Sequence, residues 1–576
     1  MKYLGCAFLL IALVSCGSVP VKSTFVEEPD PSGDTCSYWP EEMSGMHAAI
    51  LGTDKAFRMS VCPDVEETSV HEVSAWKGET VSAMVLIWSA SDLENVRVDV
   101  SKLRGRGGVI PSSAVETFFV RYTLADEFGN ACGPHDPAVY PPHLCPDMLE
   151  PAEAIDIPGR TVRPVWIRIN VPAEAAEGCY TASVKVVSSN AGSRVMTLKL
   201  NVTGRTMPEL AARRFYIDFW QHPAAVARVE GCRLWSDEHF SLLEKYMRPL
   251  ADLGQRTVTA TLNKDPWNHQ CYDLYEDMIL WTRDIDGTWS YDYTVFDRWV
   301  ELMDRLGVNR EVNCYSMLPW NNELHYFDVA ADSLVNVKAD PGTAIFEELW
   351  RPFLHDFSAH LAEKGWVERV NIAMDERSRE QTGFALELLR DAAPALGVAM
   401  ADNHDSYRNY PDVDNISCSI WNTADPSVLA SRRADGRITT FYICCSAPFP
   451  NQFTFSSPME AVYVTWYSIA NGYDGFLRWA WNSWPENPAH DSRFRTFPSG
   501  DCFLAYPGPM SSVRIEKLRE GIQDMEKIFV LRDEYSAAGD TAALAALDST
   551  LAMFAGLTPD EGWEDRLLAA RESLNR

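Results

Sequence analysis

The sequence predicts a multidomain β plus α/β protein: an N-terminal β-sandwich followed by an irregular TIM (β/α)8 barrel with C-terminal helices. Three observations lead there. Residues 36–206 alternate apolar and polar side chains with a period of two. Residues 207–510 switch to short apolar runs separated by helical spacing. Residues 511–576 are helical again. A chain of 576 residues is also too long for one ordinary domain.

In the first region Met196, Leu198, Leu200 and Val202 alternate with Thr197, Lys199 and Asn201. Similar runs cover 79–90, 95–103, 115–125, 162–171 and 179–188, with Gly105, Gly107, Gly108, Pro172 and Gly178 as punctuation. Short strands with turn signals and no helical spacing read as a sandwich. The second region offers eight strands: Phe215–Trp220, Thr257–Leu262, Glu311–Met317, Arg369–Met374, Val398–Asp402, Ile416–Trp421, Thr439–Cys444 and Gly475–Trp481. Between them Phe296, Trp299, Val300, Met303 and Leu306 recur at helical spacing, with Thr294 and Asp297 as a capping-box start. Further helices fall at 343–364 and 380–396. Only residues 403–415, with Pro411 inside, separate the fifth and sixth strands. A full helix is missing there, which makes the barrel irregular.

The N-terminus sets the compartment. Lys2 precedes an apolar run, Ala7 to Val14, too short to cross a bilayer and suited to a signal peptide. Leu13-Val14-Ser15-Cys16 resembles a bacterial lipobox. On that reading residues 1–15 are removed, Cys16 carries the lipid, and residues 16–35 form a flexible tether in the cell envelope. A plain secretory signal with an incidental cysteine is the alternative. Fourteen cysteines suit export. Cys132, His135, His143 and Cys145 are zinc-ligand types, but their spacing fits no standard zinc module. A disulfide between Cys132 and Cys145, or between Cys36 and Cys62, is the expectation.

Charge narrows the partners. Asp plus Glu number 81 against 51 Lys plus Arg, a formal net charge of −30. Nucleic-acid binding needs Lys and Arg to neutralise phosphates, so it is disfavoured. The 19 Trp point instead to sugars, which stack on large apolar planes carrying one donor.

In a TIM-type barrel the chemistry lies at the C-terminal ends of the strands. The dipeptide Asp-Glu occurs at 126, 237, 375, 533 and 560, and only Asp375-Glu376 directly follows a barrel strand. Ordinary glycosidases place two carboxylates across a sugar, about 5–10 Å apart. Adjacent residues do not bracket a sugar that way. They suit a route in which the substrate's own 2-acetamido oxygen attacks the anomeric carbon. Other strand ends supply candidate sugar contacts: Trp220, His222, Tyr315, Asn403, Tyr442, Trp479, Trp481, Asn482 and Trp484. No His-Glu-x-x-His or Gly-x-Ser-x-Gly is present.

The chain resembles glycoside hydrolase family 123 over most of residues 40–535. The resemblance rests on Asp375-Glu376 and on an ordered C-terminal block. That block runs Gly475-Phe-Leu-Arg-Trp479-Ala-Trp-Asn482-Ser-Trp484, then Gly500-Asp501-Cys-Phe-Leu-Ala-Tyr506-Pro507-Gly508, then Ser512-Val-Arg514-Ile-Glu516-Lys-Leu-Arg519-Glu-Gly521. Arg377 departs from the proline often found after the pair. The resemblance implies a retaining, substrate-assisted β-N-acetylhexosaminidase, with GalNAc favoured. Asp375 would orient the acetamide and Glu376 would be the general acid/base. That mechanism needs no metal and no organic cofactor. The partner would be a glycan or glycoconjugate ending in N-acetylhexosamine. Two alternatives remain: a non-catalytic glycan-binding lipoprotein, and a glycosidase pairing Glu376 with a distant acid such as Asp402 or Asp405.

Overall fold

The computed structural model describes residues 21–32, 38–129 and 131–576. The signal peptide, Cys16 and Cys36 lie outside the described residues.

Two sheets form the N-terminal domain, one antiparallel and one mixed, with Val70–Lys77 running parallel to Gly192–Thr206. One has five strands in the order His47–Leu51, Thr80–Ser89, Thr161–Asn170, Val115–Ala125 and His143–Glu150. The other is built on Val70–Lys77, Gly192–Thr206, Gly178–Ser188 and Leu93–Val100. Aliphatic side chains such as Val85, Ile87, Val165, Ile167, Val184, Leu198 and Leu200 fill the space between them. This is the sandwich that the period of two implied. Residues 21–32 are not a free tether. Phe25 packs against the core, and Glu27 pairs with buried Arg163.

Eight parallel strands follow: β1 (Tyr216–Phe219), β2 (Thr257–Thr261), β3 (Glu311–Tyr315), β4 (Val370–Asp375), β5 (Gly397–Asp402), β6 (Asn415–Ser419), β7 (Ile438–Tyr442) and β8 (Gly475–Arg478). Backbone ladders join β2 to β3 and on through β8 to β1. β1 and β2 share no ladder, and two buried glutamines bridge that seam instead. Gln255 Oε1 accepts from the Phe219 N–H at 3.0 Å, and Gln221 Oε1 accepts from the Thr259 N–H at 2.8 Å. Side-chain amides thus satisfy backbone groups that would otherwise be orphaned. Between β5 and β6 there is only a four-residue helix, Ser406–Asn409.

Three features depart from expectation. A small sheet of Trp289–Asp292, Leu280–Arg283, Glu323–Asp328 and Ser333–Lys338 sits beside the barrel. The helix Thr294–Arg305 has Tyr293 at its cap and no side-chain cap bond. Asp297 is drawn away to His360 and Lys364, so the capping box does not form. The C-terminal helices pack on the sandwich as well as the barrel. In the helix Val513–Ala538, Arg514 pairs with Asp147, Glu516 with Arg168 and Lys527 with Glu79, all three partners lying in the sandwich domain.

Candidate active site

The strand β4 carries the acidic pair into the barrel mouth. All six of its residues are buried. Asn371, Ala373 and Asp375 share the inward face. Asp375 is therefore placed by the strand, at the floor of a cavity of about 450 Å³, within the range of small-molecule sites. Glu376 is the first residue past the strand. Its backbone lies in the left-handed region, φ +48°, and its N–H donates to the Ala401 carbonyl at 2.9 Å. This conformation is uncommon for a residue with a Cβ, and it turns Glu376 into the same cavity instead of toward the opposite face.

The pair is held by neutral donors. The Trp267 indole N–H donates to Asp375 Oδ2 at 2.7 Å, and the Tyr442 hydroxyl donates to Glu376 Oε1. The Trp320 indole donates to the Asp375 carbonyl at 3.2 Å. Arg377 forms no bond to either carboxylate. Its guanidinium donates to the Trp320 carbonyl and to Asn322 Oδ1. Burial, and then the neighbouring charge of Glu376, push the Asp375 carboxyl well above its ordinary range.

Among the candidate sugar contacts, Trp220, Asn403, Tyr442 and Trp479 line this cavity. Five others do not. His222 is fully buried, stacked on Tyr275 at 3.8 Å, with its ring nitrogens facing Ser483 Oγ and the Leu274 carbonyl. Burial lowers its pKa to about 4. Asn482 spends its amide on the backbone of His222, closing β8 against β1. Trp481 stacks on Phe219, and the Trp484 indole donates to the Ala505 carbonyl. Tyr315 lies in an aromatic layer with Trp220 and Trp267, at 4.7 and 5.1 Å. All five are buried where strand ends pack together, so they shape the wall from behind.

Several cavity residues stand outside the sugar contacts expected from the sequence. Trp421 lies just past β6 and is 53% exposed at the mouth. Trp320 and Gln270 come from long loops. Cys132 reaches in from the sandwich. Cys132 is bonded to Cys445, not to Cys145, and Cys145 and Cys62 carry free thiols. Nothing local signals a pair 313 residues apart. Asp402 and Asp405 do not line the cavity. Both Asp402 oxygens are taken by Ser406, at 2.9 Å each.

Comparison with known proteins now decides the family. The profile of the glycoside hydrolase 123 catalytic domain matches residues 220–531, and that of the glycoside hydrolase 123 N-terminal domain matches 51–188. The chain belongs to glycoside hydrolase family 123. A family 123 glycoside hydrolase from Clostridium perfringens, whose structure was analysed for the details of glycolipid glycan hydrolysis, superposes with a TM-score of 0.83 at 25% identity. The match covers 92% of this chain and 97% of that one. A Bacteroides ovatus GH5 xyloglucanase gives a TM-score of only 0.29 at 10% identity, which carries no argument. No curated protein matches. This family 123 protein is accordingly a glycoside hydrolase acting on a glycan.

Proposed function

We propose that this glycoside hydrolase removes a terminal β-linked N-acetylhexosamine, GalNAc in preference to GlcNAc, with retention of configuration and with the substrate's acetamide as nucleophile. One observation carries the reading: among the described residues, the only carboxylates lining the cavity are the adjacent Asp375 and Glu376. A second carboxylate across the sugar, which ordinary retaining and inverting enzymes use, is lacking among the lining residues. The attacking atom is then best supplied by the substrate.

The chemistry follows from the pair. The acetamide N–H donates to Asp375, which favours the Asp375 carboxylate, and Glu376 enters the reaction as the protonated acid. The acetamide oxygen bonds to the anomeric carbon as the glycosidic bond breaks. Glu376 gives its proton to the leaving oxygen. Asp375 faces the positive oxazolinium that results and offsets its charge. Water then attacks the same carbon, losing its proton to Glu376, and the ring opens to the hemiacetal with the starting configuration. The GalNAc preference rests on the family resemblance.

The deciding experiment uses aryl β-glycosides of GalNAc, GlcNAc, galactose and glucose. Release from the N-acetyl sugars alone, inhibited by a thiazoline analogue and giving the β-anomer first by NMR, is expected. Equal release of galactose would overturn the acetamide mechanism.

We propose also that the chain is exported and held at the envelope by a lipid on Cys16. The disulfide of Cys132 and Cys445 supports an oxidising compartment. Cys16→Ala should move the enzyme from the membrane to the soluble fraction. Unchanged membrane association would refute the anchor.

A further inference from the structure

The connection between sandwich strands Val115–Ala125 and His143–Glu150 leaves its own domain and reaches the barrel mouth. It is stitched down along its start. The Leu124 N–H donates to the His490 carbonyl and the Ser492 N–H to the Leu124 carbonyl, both at 2.9 Å. The Asp126 N–H donates to Ser499 Oγ at 3.0 Å, and Asp126 Oδ2 lies 2.8 Å from His135 Nδ1. Further out, among the described residues, the Gly133 N–H donates to the Thr496 carbonyl at 2.9 Å. Most side chains from Cys132 to Val139 are exposed. The disulfide to Cys445, just beyond β7, is what ties this tip to the catalytic wall, with the Cα atoms 5.5 Å apart.

Cys132, Cys445 and Thr496 all line the cavity that holds Asp375 and Glu376. The floor is buried: Asp375, Tyr442, Trp220 and Leu477. The rim is open, and Cys132 stands on it, exposed, while Cys445 is buried behind it. An enzyme that removes a terminal sugar seats that sugar on the floor, beside the carboxylates. The rim is left to the portion beyond the scissile oxygen.

We infer that the Cys132–Cys445 disulfide is a positioning device: it holds the sandwich loop as the wall of an aglycone subsite that takes the next pyranose of an oligosaccharide. The inference rests on the cleavage proposed above at Glu376. The N-terminal domain thereby contributes to substrate choice and not only to folding. Cys132 and Thr496 touch the retained glycan and take no part in bond breaking. A loop tip freed from the barrel still leaves the floor intact, so the loss appears in binding of long substrates.

Alkylation and mass spectrometry of the native chain read the bond first. Cys132 stays unlabelled without reductant. It is labelled after a water-soluble phosphine, which takes oxygen from one water as the disulfide becomes two thiols. Two substrates then separate the subsites. A β-N-acetylgalactosaminyl fluoride has a leaving group that fills no sugar subsite, whereas a trisaccharide ending in β-linked GalNAc fills it. For Cys132→Ala/Cys445→Ala, kcat/KM on the trisaccharide should fall about tenfold, mostly through KM, and at least about threefold further than on the fluoride. Phosphine-treated wild type, kept folded by circular dichroism, should give the same split without any substitution.

Equal losses on both substrates, no loss on either, or a labelled Cys132 before reduction would overturn the inference alone. A wild-type chain that cleaves neither substrate overturns the reading of the site, and the inference falls with it.

Discussion

Asp147 and Asp375 are both buried aspartates, one where the sandwich meets the barrel and one on the floor of the cavity. Their surroundings differ. Asp147 accepts from Arg514 Nε and Nη2 and from the Tyr506 hydroxyl at 2.7 Å, so a cation and a hydroxyl saturate it. Asp375 has only neutral indole N–H groups at its carboxyl and a second carboxylate beside it. The nearest cation, Arg377, bonds elsewhere. A paired and saturated buried acid holds two domains together. A buried acid left short of partners is an energetic cost that a bound substrate can relieve, and such a group is what catalysis needs.

The largest expected effects test the cavity side of this contrast. Glu376→Gln removes the proton donor. On glycosides with poor leaving groups turnover should fall roughly 10³-fold, with a much smaller loss on aryl glycosides whose leaving groups need no proton. Asp375→Asn should lose a comparable factor on both kinds, because the acetamide and the oxazolinium lose their anionic partner. Full activity in either variant on a natural substrate would dismantle the assignment.

The junction should respond in stability and not in chemistry. Arg514→Met leaves Asp147 buried without its cation, which typically costs about 3–5 kcal/mol. Denaturant unfolding should show that loss, while kcat per folded molecule at low temperature stays near that of the parent. A change under about 1 kcal/mol would mean that the two acids are less different than their partners suggest.

The sign reverses at Asp375, where neutralisation should stabilise. The folded-state pKa is raised above the unfolded value of 3.8. Between the two, the folded chain holds a proton that the unfolded chain has released, so stability falls as pH rises through that window. A carboxamide at this position has no such proton to hold or release. Asp375→Asn should therefore melt higher than the parent at neutral pH, and the advantage should vanish below about pH 4. An advantage that persists unchanged into acid would show that burial of the charge is not its source.

These contrasts mark what the sequence could tell. The barrel was legible because apolar runs and helical spacing are local patterns, and the observed strands start and end within a few residues of the expected ones. The acidic pair was legible because it abuts such a strand. The helix gap before β6 was legible from Pro411. Trp481, Asn482 and Trp484 misled because β8 ends at Arg478. Past that residue the alternation of faces no longer holds, and the chain folds back under the wall. His222 misled for a related reason: Asn482 pins its backbone, which turns the ring into the core. That Trp320, Trp421, Gln270 and Cys132 meet at one rim was not legible, because they come from loops whose direction depends on contacts distant in sequence.

The smallest effect concerns that rim. Trp421 exposes half its surface, yet its indole is held by a bond from Nε1 to Ser446 Oγ at 3.1 Å. A large apolar plane fixed at the mouth suits the face of a pyranose beyond the cleaved sugar. Stacking of this kind is worth about 0.5–1.5 kcal/mol, roughly a two- to tenfold rise in KM for Trp421→Ala on an oligosaccharide. The same contact exists in the ground state and the transition state, so kcat should hold. The glycosyl fluoride, which lacks a second sugar, should be cleaved as by the parent. Loss of kcat on the fluoride would instead place Trp421 with Asp375 and Glu376 at the reacting centre.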